Sequence, residues 1–361
     1  MTQAYNFSAG PAMLPREVLL KIQSELLEYQ NSKASVMEIS HRGVDFMEAA
    51  EKSEQDFREL LSIPENYKVL FLSGGATSQF SMVPMNLLRK KKNADYINTG
   101  MWSKKAIKEA QRYCHVNIAA SSEDSGYTYA PTQDQWTPDQ NAAYVHYTPN
   151  ETIGGVEFNW VPDLTYSENN IPLVADMSSS ILSRPLDVTK YGLIYAGAQK
   201  NLGPAGTTLY IVKDSILGNS SVAIPTMLNL KTHAAKDSMF NTPPCFAIYT
   251  AMLTLRWLKK NGGLSWVEKR NEDKAALLYR EIDSNPLFEG TAEIEDRSSM
   301  NVTFVLTDSS KAEEFDKMWN EANISGIKGH RDVGGYRASM YNALPLESVQ
   351  VLVDVMKKLA L

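Results

Sequence analysis

Cysteine is nearly missing: the 361 residues include only Cys114 and Cys245, far apart and in no Cys-x-x-Cys arrangement. Neither a disulfide framework nor a zinc knuckle can be built from such a pair. Histidine is scarce too, and positions 41, 115, 146, 233 and 330 contain no i,i+2 or i,i+4 couple of the kind that grips a metal. No metal is expected. Basic charge is not in excess; with a formal net charge of −6 the field that a nucleic-acid partner requires is lacking, although local basic pockets remain compatible with it. No apolar run approaches the ~20 residues that span a bilayer. The opening Met1-Thr-Gln-Ala-Tyr-Asn6 has neither a basic nor an apolar leader segment. The expectation is a cytoplasmic protein that binds neither membrane nor nucleic acid. Internal repeats and low-complexity tracts are missing as well.

What is present is an ordinary globular composition, 43% hydrophobic and 22% charged, which excludes disorder as the default. A chain of this length exceeds what one hydrophobic core commonly organises, so two domains are expected. The pattern of elements places the division. Apolar, β-branched runs at 67–72, 94–100, 115–120, 142–147, 171–176, 191–197 and 207–212 read as strands. Helical periodicity lies between and around them at 16–30, from Gly43 to Leu60, at 80–88, at 103–113 and at 245–260. Asn261-Gly-Gly263 then ends a helix in the way glycine does. Beyond it the rhythm changes: a long helix at 264–283, a strand at 300–306, a helix at 311–322, a strand at 337–341 and a helix from 347. The expected fold is α/β, a large domain at 16–263 with a mostly parallel central sheet flanked by helices. A small α+β domain at 264–361, joined by segment 1–15, completes it.

The chemistry gathers at strand ends. Ala196-Gly-Ala-Gln-Lys-Asn-Leu-Gly-Pro-Ala-Gly206 sets Lys200 among residues too small to shield it, and Ile171-Pro-Leu-Val-Ala-Asp176 ends in a carboxylate. A lysine on a loop is usually a solvated charge, and an aspartate after an apolar run is usually a turn or cap. Together they suggest pyridoxal phosphate, which a lysine holds as a Schiff base while an acid keeps the ring nitrogen protonated. A nucleotide phosphate loop fails on spacing, because Gln199 precedes Lys200 and Asn201 follows it. Ser73-Gly-Gly-Ala-Thr-Ser-Gln79 joins a strand to a helix, so the amides of Ala76 and Thr77 could hold a phosphate; an ordinary βα turn is the alternative. Trp102 is either a core anchor or an indole stacked on the cofactor. Thr148-Pro-Asn-Glu-Thr152 offers hydroxyl and amide donors. His41 and Arg42 precede a helix whose macrodipole disfavours cations, which suits an anion site. Lys328-Gly-His330-Arg331 through Arg337 concentrates cationic groups among three glycines, a solvated hairpin or a carboxylate and phosphate clamp. Asn241 and Thr242 precede two prolines, where capping is the simplest role.

Several long strings carry a resemblance: Asn6-Phe-Ser-Ala-Gly-Pro-Ala-Met-Leu-Pro15, Met37-Glu-Ile-Ser-His-Arg-Gly43, Ala196-Gly-Ala-Gln-Lys-Asn201, Phe240-Asn-Thr-Pro-Pro244, and Lys328-Gly-His-Arg331 with Gly334-Gly-Tyr-Arg-Ala-Ser339. Through them the chain resembles, end to end, the phosphoserine aminotransferase family of class V, fold-type I aminotransferases, with an aspartate-aminotransferase-like fold. The resemblance implies pyridoxal phosphate as cofactor, Lys200 as the Schiff-base lysine and proton shuttle, and Asp176 on the ring nitrogen. It further implies Trp102 on the ring and Thr152 beside its 3′-oxygen. Ala76, Thr77 and Gln199 would bind the phosphate, joined by Asn241 and Thr242 from the second subunit of a homodimer. Arg337 would take the α-carboxylate, with His41, Arg42 and the neighbour's His330 and Arg331 on the distal anion. The implied reaction is O-phospho-L-serine plus 2-oxoglutarate to 3-phosphooxypyruvate plus L-glutamate, in serine biosynthesis, with phosphohydroxythreonine of pyridoxine biosynthesis as a further substrate. An alanine–glyoxylate-type transaminase, a cysteine desulfurase relative and a nucleotide-binding regulator are the alternatives. The desulfurase would need a cysteine in a mobile loop, which neither Cys114 nor Cys245 provides.

Overall fold

A computed structural model of the chain describes residues 4–164, 171–220, 223–331 and 333–361. In chain order the elements are β1 (Tyr5–Asn6), α1 (Arg16–Glu25), α2 (Val44–Leu61), β2 (Tyr67–Gly74), α3 (Ala76–Leu87), β3 (Asn93–Asn98), α4 (Met101–Ala110) and β4 (His115–Ser121). They continue with β5 (Val145–Tyr147), β6 (Asn150–Glu151), β7 (Val156–Glu157), β8 (Leu173–Asp176), β9 (Leu193–Gly197), β10 (Gly206–Lys213), α5 (Leu230–Ala234) and α6 (Cys245–Lys260). The rest are α7 (Gly263–Ser284), β11 (Phe288–Gly290), β12 (Asn301–Leu306), α8 (Ala312–Glu321), β13 (Ile324–Ser325), β14 (Tyr336–Ser339) and α9 (Leu346–Leu359).

Seven strands form one sheet in the order β2-β10-β9-β8-β5-β3-β4. Strands β9, β8, β5, β3 and β4 pair in parallel, whereas β10 runs antiparallel to both β9 and β2. The carboxyl ends of six strands and the amino end of β10 therefore meet along one edge. Period-two alternation splits the side chains between two faces. Val69, Phe71, Ile194, Ala196, Leu209 and Ile211 join a core with α2 and α6, where Phe46, Phe57, Ile248 and Met252 are buried. Leu70, Leu72, Leu193, Tyr195, Tyr210 and Val212 face α3 and α4, where Phe80, Val83 and Ile107 are buried. Covering on both faces explains why β5, β8 and β9 are buried at every residue.

A separate core joins α7, α8 and α9 to the antiparallel sheet β11-β12-β14 through Leu278, Phe304, Phe315, Tyr336, Leu352 and Met356. Phe7 is part of it, because β1 pairs in parallel with β13. The start of the amino-terminal segment thus packs with the last hundred residues.

Helix α1 stops at Glu25, short of the expected residue 30: Leu27 is 86% exposed, and Gln30 has a positive φ of 52°. Helix α3 begins at Ala76, earlier than expected, since its polar first turn looks like a loop in sequence.

Candidate active site

Along the edge where the strands end lies a cavity of about 350 Å³. Its lining draws on five of the strand-end loops singled out above: Ala76 and Thr77 after β2, Trp102 after β3, Thr152 after β5, Asp176 at the end of β8, and Gln199 and Lys200 after β9. A crevice outside the carboxyl ends of parallel strands is where ligands of open α/β sheets bind.

Lys200 is only 7% exposed, and its Nζ donates to Thr152 Oγ1 at 2.7 Å. Burial lowers its pKa to about 8; Asp176 and Glu151 pull it back up, and Arg337 pushes it further down. A lysine with that value is a free, nucleophilic amine in about a tenth of molecules at pH 7, far more than the ordinary value of about 10.4 allows. Asp176 is 4% exposed, and its Oδ1 accepts from Ser178 N–H at 3.0 Å and Ser178 Oγ at 2.6 Å. Ser178 Oγ in turn accepts from Gly197 N–H at 3.0 Å, tying the ends of β8 and β9 together. Burial raises the Asp176 pKa, opposed by the Ser178 hydrogen bonds and by Lys200. A buried carboxylate in this position is best kept ionised by a cationic partner in the cavity.

A Cβ at Gly197 would stand 2.4 Å from Gln199 Oε1, so glycine there leaves room for that side chain at the cavity wall. The first turn of α3 contains no acidic residue, and its N-cap, Gly75, makes no side-chain capping bond. Its leading amides therefore lack intrahelical partners at the positive end of a twelve-residue helix, a cradle for an anion. Trp102, near the start of α4, turns toward the cavity with its indole N–H buried and unpaired among the described residues. Arg337 reaches from β14, donating Nη1–H to Thr152 O at 3.4 Å, while its buried Nε has no partner among the described residues. Burial lowers its pKa, and that cost is relieved by an anion placed against it.

Seven of the expected residues are not in the lining: Arg337 stands behind it on Thr152 O, and the other six lie further off. His41, Arg42, Asn241, Thr242, His330 and Arg331 lie on segments outside it within one chain. Asn241 Nδ2 donates to Thr242 O at 3.1 Å, and Thr242 and Arg331 are exposed. Other contributors have no signal in the sequence. Gly10 and Pro11 reach the cavity because Ala12 N–H donates to Gln199 O at 2.8 Å, a contact across almost two hundred residues of chain. Ser178 orders Asp176, and Glu151 accepts from the start of α4, yet each is one polar residue in a polar loop.

A buried acid, a lysine with a depressed pKa, an uncapped helix start and a guanidinium whose Nε is unpaired among the described residues together suit a flat heteroaromatic cation bearing a phosphate, beside a carboxylate-bearing substrate. Independent similarity points the same way. The family model described as "Aminotransferase class-V" matches residues 4–352. The chain is 55% identical to the phosphoserine aminotransferase of Nitrosomonas europaea, covering 99% of this chain and 98% of that one. It is 52% identical to that of Chromobacterium violaceum, over 100% and 99% of the two chains. Among solved structures, a phosphoserine aminotransferase from Bacillus circulans subsp. alkalophilus superposes with a TM-score of 0.96 at 44% identity, covering 99% of this chain and 98% of that one. A pyridoxal-phosphate-bound phosphoserine aminotransferase from Trichomonas vaginalis does so with a TM-score of 0.92 at 39% identity, over 98% and 100%.

Proposed function

The chain belongs to the class-V aminotransferases, and from that premise we propose that it transfers the amino group of O-phospho-L-serine to 2-oxoglutarate with pyridoxal phosphate as cofactor. The products are 3-phosphooxypyruvate and L-glutamate. The observation that carries the reading is the placement of Lys200 and Asp176, both buried, in one cavity with the uncapped start of α3. Seated there, the cofactor supplies an electrophilic carbon and a ring that withdraws electrons. Asp176 holds a proton on the ring nitrogen. The amides of Ala76 and Thr77, with Gln199, take the phosphate, Thr152 stands on the 3′-oxygen side, and Trp102 walls the ring. Lys200 Nζ accepts the proton released from the α-carbon of the amino donor and returns it on the other side of the exchange.

Arg337 takes the α-carboxylate through its guanidinium. Phosphoserine and glutamate each carry a second anion a few bonds away, so one cationic cluster serves both substrates in a ping-pong exchange. In this reading His41, Arg42, His330 and Arg331 form that cluster at the interface of a homodimer, and Asn241 and Thr242 reach the phosphate of the neighbouring site. Two features support a dimer: these residues stand outside the lining of one chain, and exposed apolar side chains flank them, with Met37 56%, Val44 82% and Phe240 39% exposed. The two cores support domains at 16–263 and at 264–361 with 1–15, of which residues 1–3 lie outside the described ones. A cytoplasmic setting fits two unpaired cysteines; among the described residues no helix is long and apolar enough to cross a membrane.

A panel of amino donors against 2-oxoglutarate tests the substrate. O-Phosphoserine should exceed alanine by at least about a hundredfold in kcat/KM, the worth of two or so charge-assisted bonds to the second anion. Equal rates would remove the distal-anion role from the cationic cluster.

A further inference from the structure

Glu151 has no place in the chemistry described above, yet it is completely buried one residue from Thr152. Its Oε2 accepts from Trp102 N–H at 3.1 Å, and its Oε1 accepts from Ser103 N–H at 2.8 Å and from Ser103 Oγ at 2.7 Å. These donors are the leading amides of α4, whose N-cap residue, Gly100, has no side chain with which to cap them. The carboxylate arrives from β6 instead, almost fifty residues further along the chain. Space has been left for it: a Cβ on Gly100 would stand 2.7 Å from Glu151 Cδ. Strand β6 is itself fixed on two sides, because Asn150 Nδ2 donates to Ser179 Oγ at 2.9 Å and to Asn301 Oδ1 at 2.8 Å. Adjacent residues thus serve two walls of one cavity, Glu151 holding the helix that bears Trp102 and Thr152 accepting from Lys200.

We infer that Glu151 is the positioning residue for Trp102, fixing the tilt of the indole against the bound cofactor ring. The inference rests on the proposed cofactor and extends it to a residue outside the contact shell. Only a carboxylate meets the geometry. Each oxygen faces a backbone N–H, so glutamine would turn its amide N–H₂ against one of these donors and lose that bond. A negative charge at a helix start is also favoured by the macrodipole. Burial raises the Glu151 pKa, but the bonds from Ser103 and Trp102 act to keep it ionised.

Cofactor-free protein titrated with pyridoxal phosphate provides the test, using wild type, Glu151→Gln, Trp102→Phe and the double variant. Two quantities are read: the Kd, and the visible circular dichroism that the asymmetric site imposes on the bound ring. Glu151→Gln should weaken binding about tenfold, the loss of one charge-assisted bond, and should reduce the visible dichroic band. The double variant should bind within about twofold of Trp102→Phe alone, because the carboxylate acts through the indole. Gly100→Ala, whose Cβ displaces the same carboxylate, should reproduce the dichroic change and covers the case in which Glu151→Gln does not fold. A wild-type band and Kd in Glu151→Gln, even with a lowered Tm, would make the residue a structural cap and overturn the inference. Losses that multiply in the double variant would overturn it too. Wild-type protein that takes up no pyridoxal phosphate would overturn the cofactor reading and this inference with it.

Discussion

Two lysines among the described residues are buried, and their surroundings send them to different ends. Lys274 is wholly buried, and its Nζ donates to Met340 O and Tyr341 O at 2.8 Å each, so it serves as a strut between α7 and the end of β14. Lys200 has a single hydroxyl partner and opens on the cavity. Burial depresses both pKa values, but only Lys200 can be reached by an electrophile. Cofactor-free protein treated with a small aldehyde and then borohydride should be labelled at Lys200 and not at Lys274. The labelling rate should rise with pH around a midpoint of about 8. The sign follows from the free amine being the reactive form, protonated below that value and available above it. A midpoint near the ordinary ~10.4 of lysine would show the amine to be solvated. The same shift makes the unfolded chain hold a proton on this lysine that the folded one has shed between pH 8 and about 10.4, so the contribution of Lys200 to the stability of the cofactor-free protein should increase with pH across that window.

At the scale of elements, the start of α3 is the proposed phosphate cradle, and charge added there separates stability from binding. Thr77 is exposed in an uncapped first turn. Thr77→Asp should leave the cofactor-free protein as stable as before or more so, by up to about 1 kcal/mol, because an acid favours a helix start. The same carboxylate should repel the phosphate and weaken pyridoxal phosphate binding at least about tenfold. Unchanged affinity in a titration would move the phosphate away from α3. The helix itself was only partly legible. Val69 to Leu72 and Leu209 to Val212 announced strands through β-branched and aromatic runs, but nothing in 206–213 told that β10 runs against its neighbours. Strand direction is settled by what the connecting chain packs on, which periodicity does not record. Strands β6 and β7, of two residues each, are too short to carry a period, so Glu151 passed for one polar loop residue among several.

In the whole molecule, the sequence-derived site divides into two groups, with Arg337 of β14 between them, bonded to Thr152 O but outside the lining. Lys200, Asp176, Trp102, Thr152, Gln199, Ala76 and Thr77 converge because each stands at the end of a strand, and strand ends of a parallel sheet meet by construction. His41, Arg42, Asn241, Thr242, His330 and Arg331 are outside the lining within one chain, and in the proposed homodimer their relation to the cavity would depend on contacts between chains, which no local pattern encodes. A shared site makes a demand that a monomeric enzyme cannot meet. Lys200→Ala and Arg331→Ala proteins should each be nearly inactive on phosphoserine, the first through loss of the proton acceptor and the second through loss of the distal anion's partner. Denatured together in equal amounts and refolded, they should regain activity. With random pairing half of the dimers are mixed, and each mixed dimer holds one site with both residues intact, so about a quarter of wild-type activity is expected. Were Lys200 and Arg331 of the same chain to serve one site, every site in the mixture would lack one or the other, and refolding would restore nothing. Sedimentation of the wild-type protein at assay concentration completes the argument: a monomer with full activity would place the whole cationic cluster inside one chain and overturn the shared site.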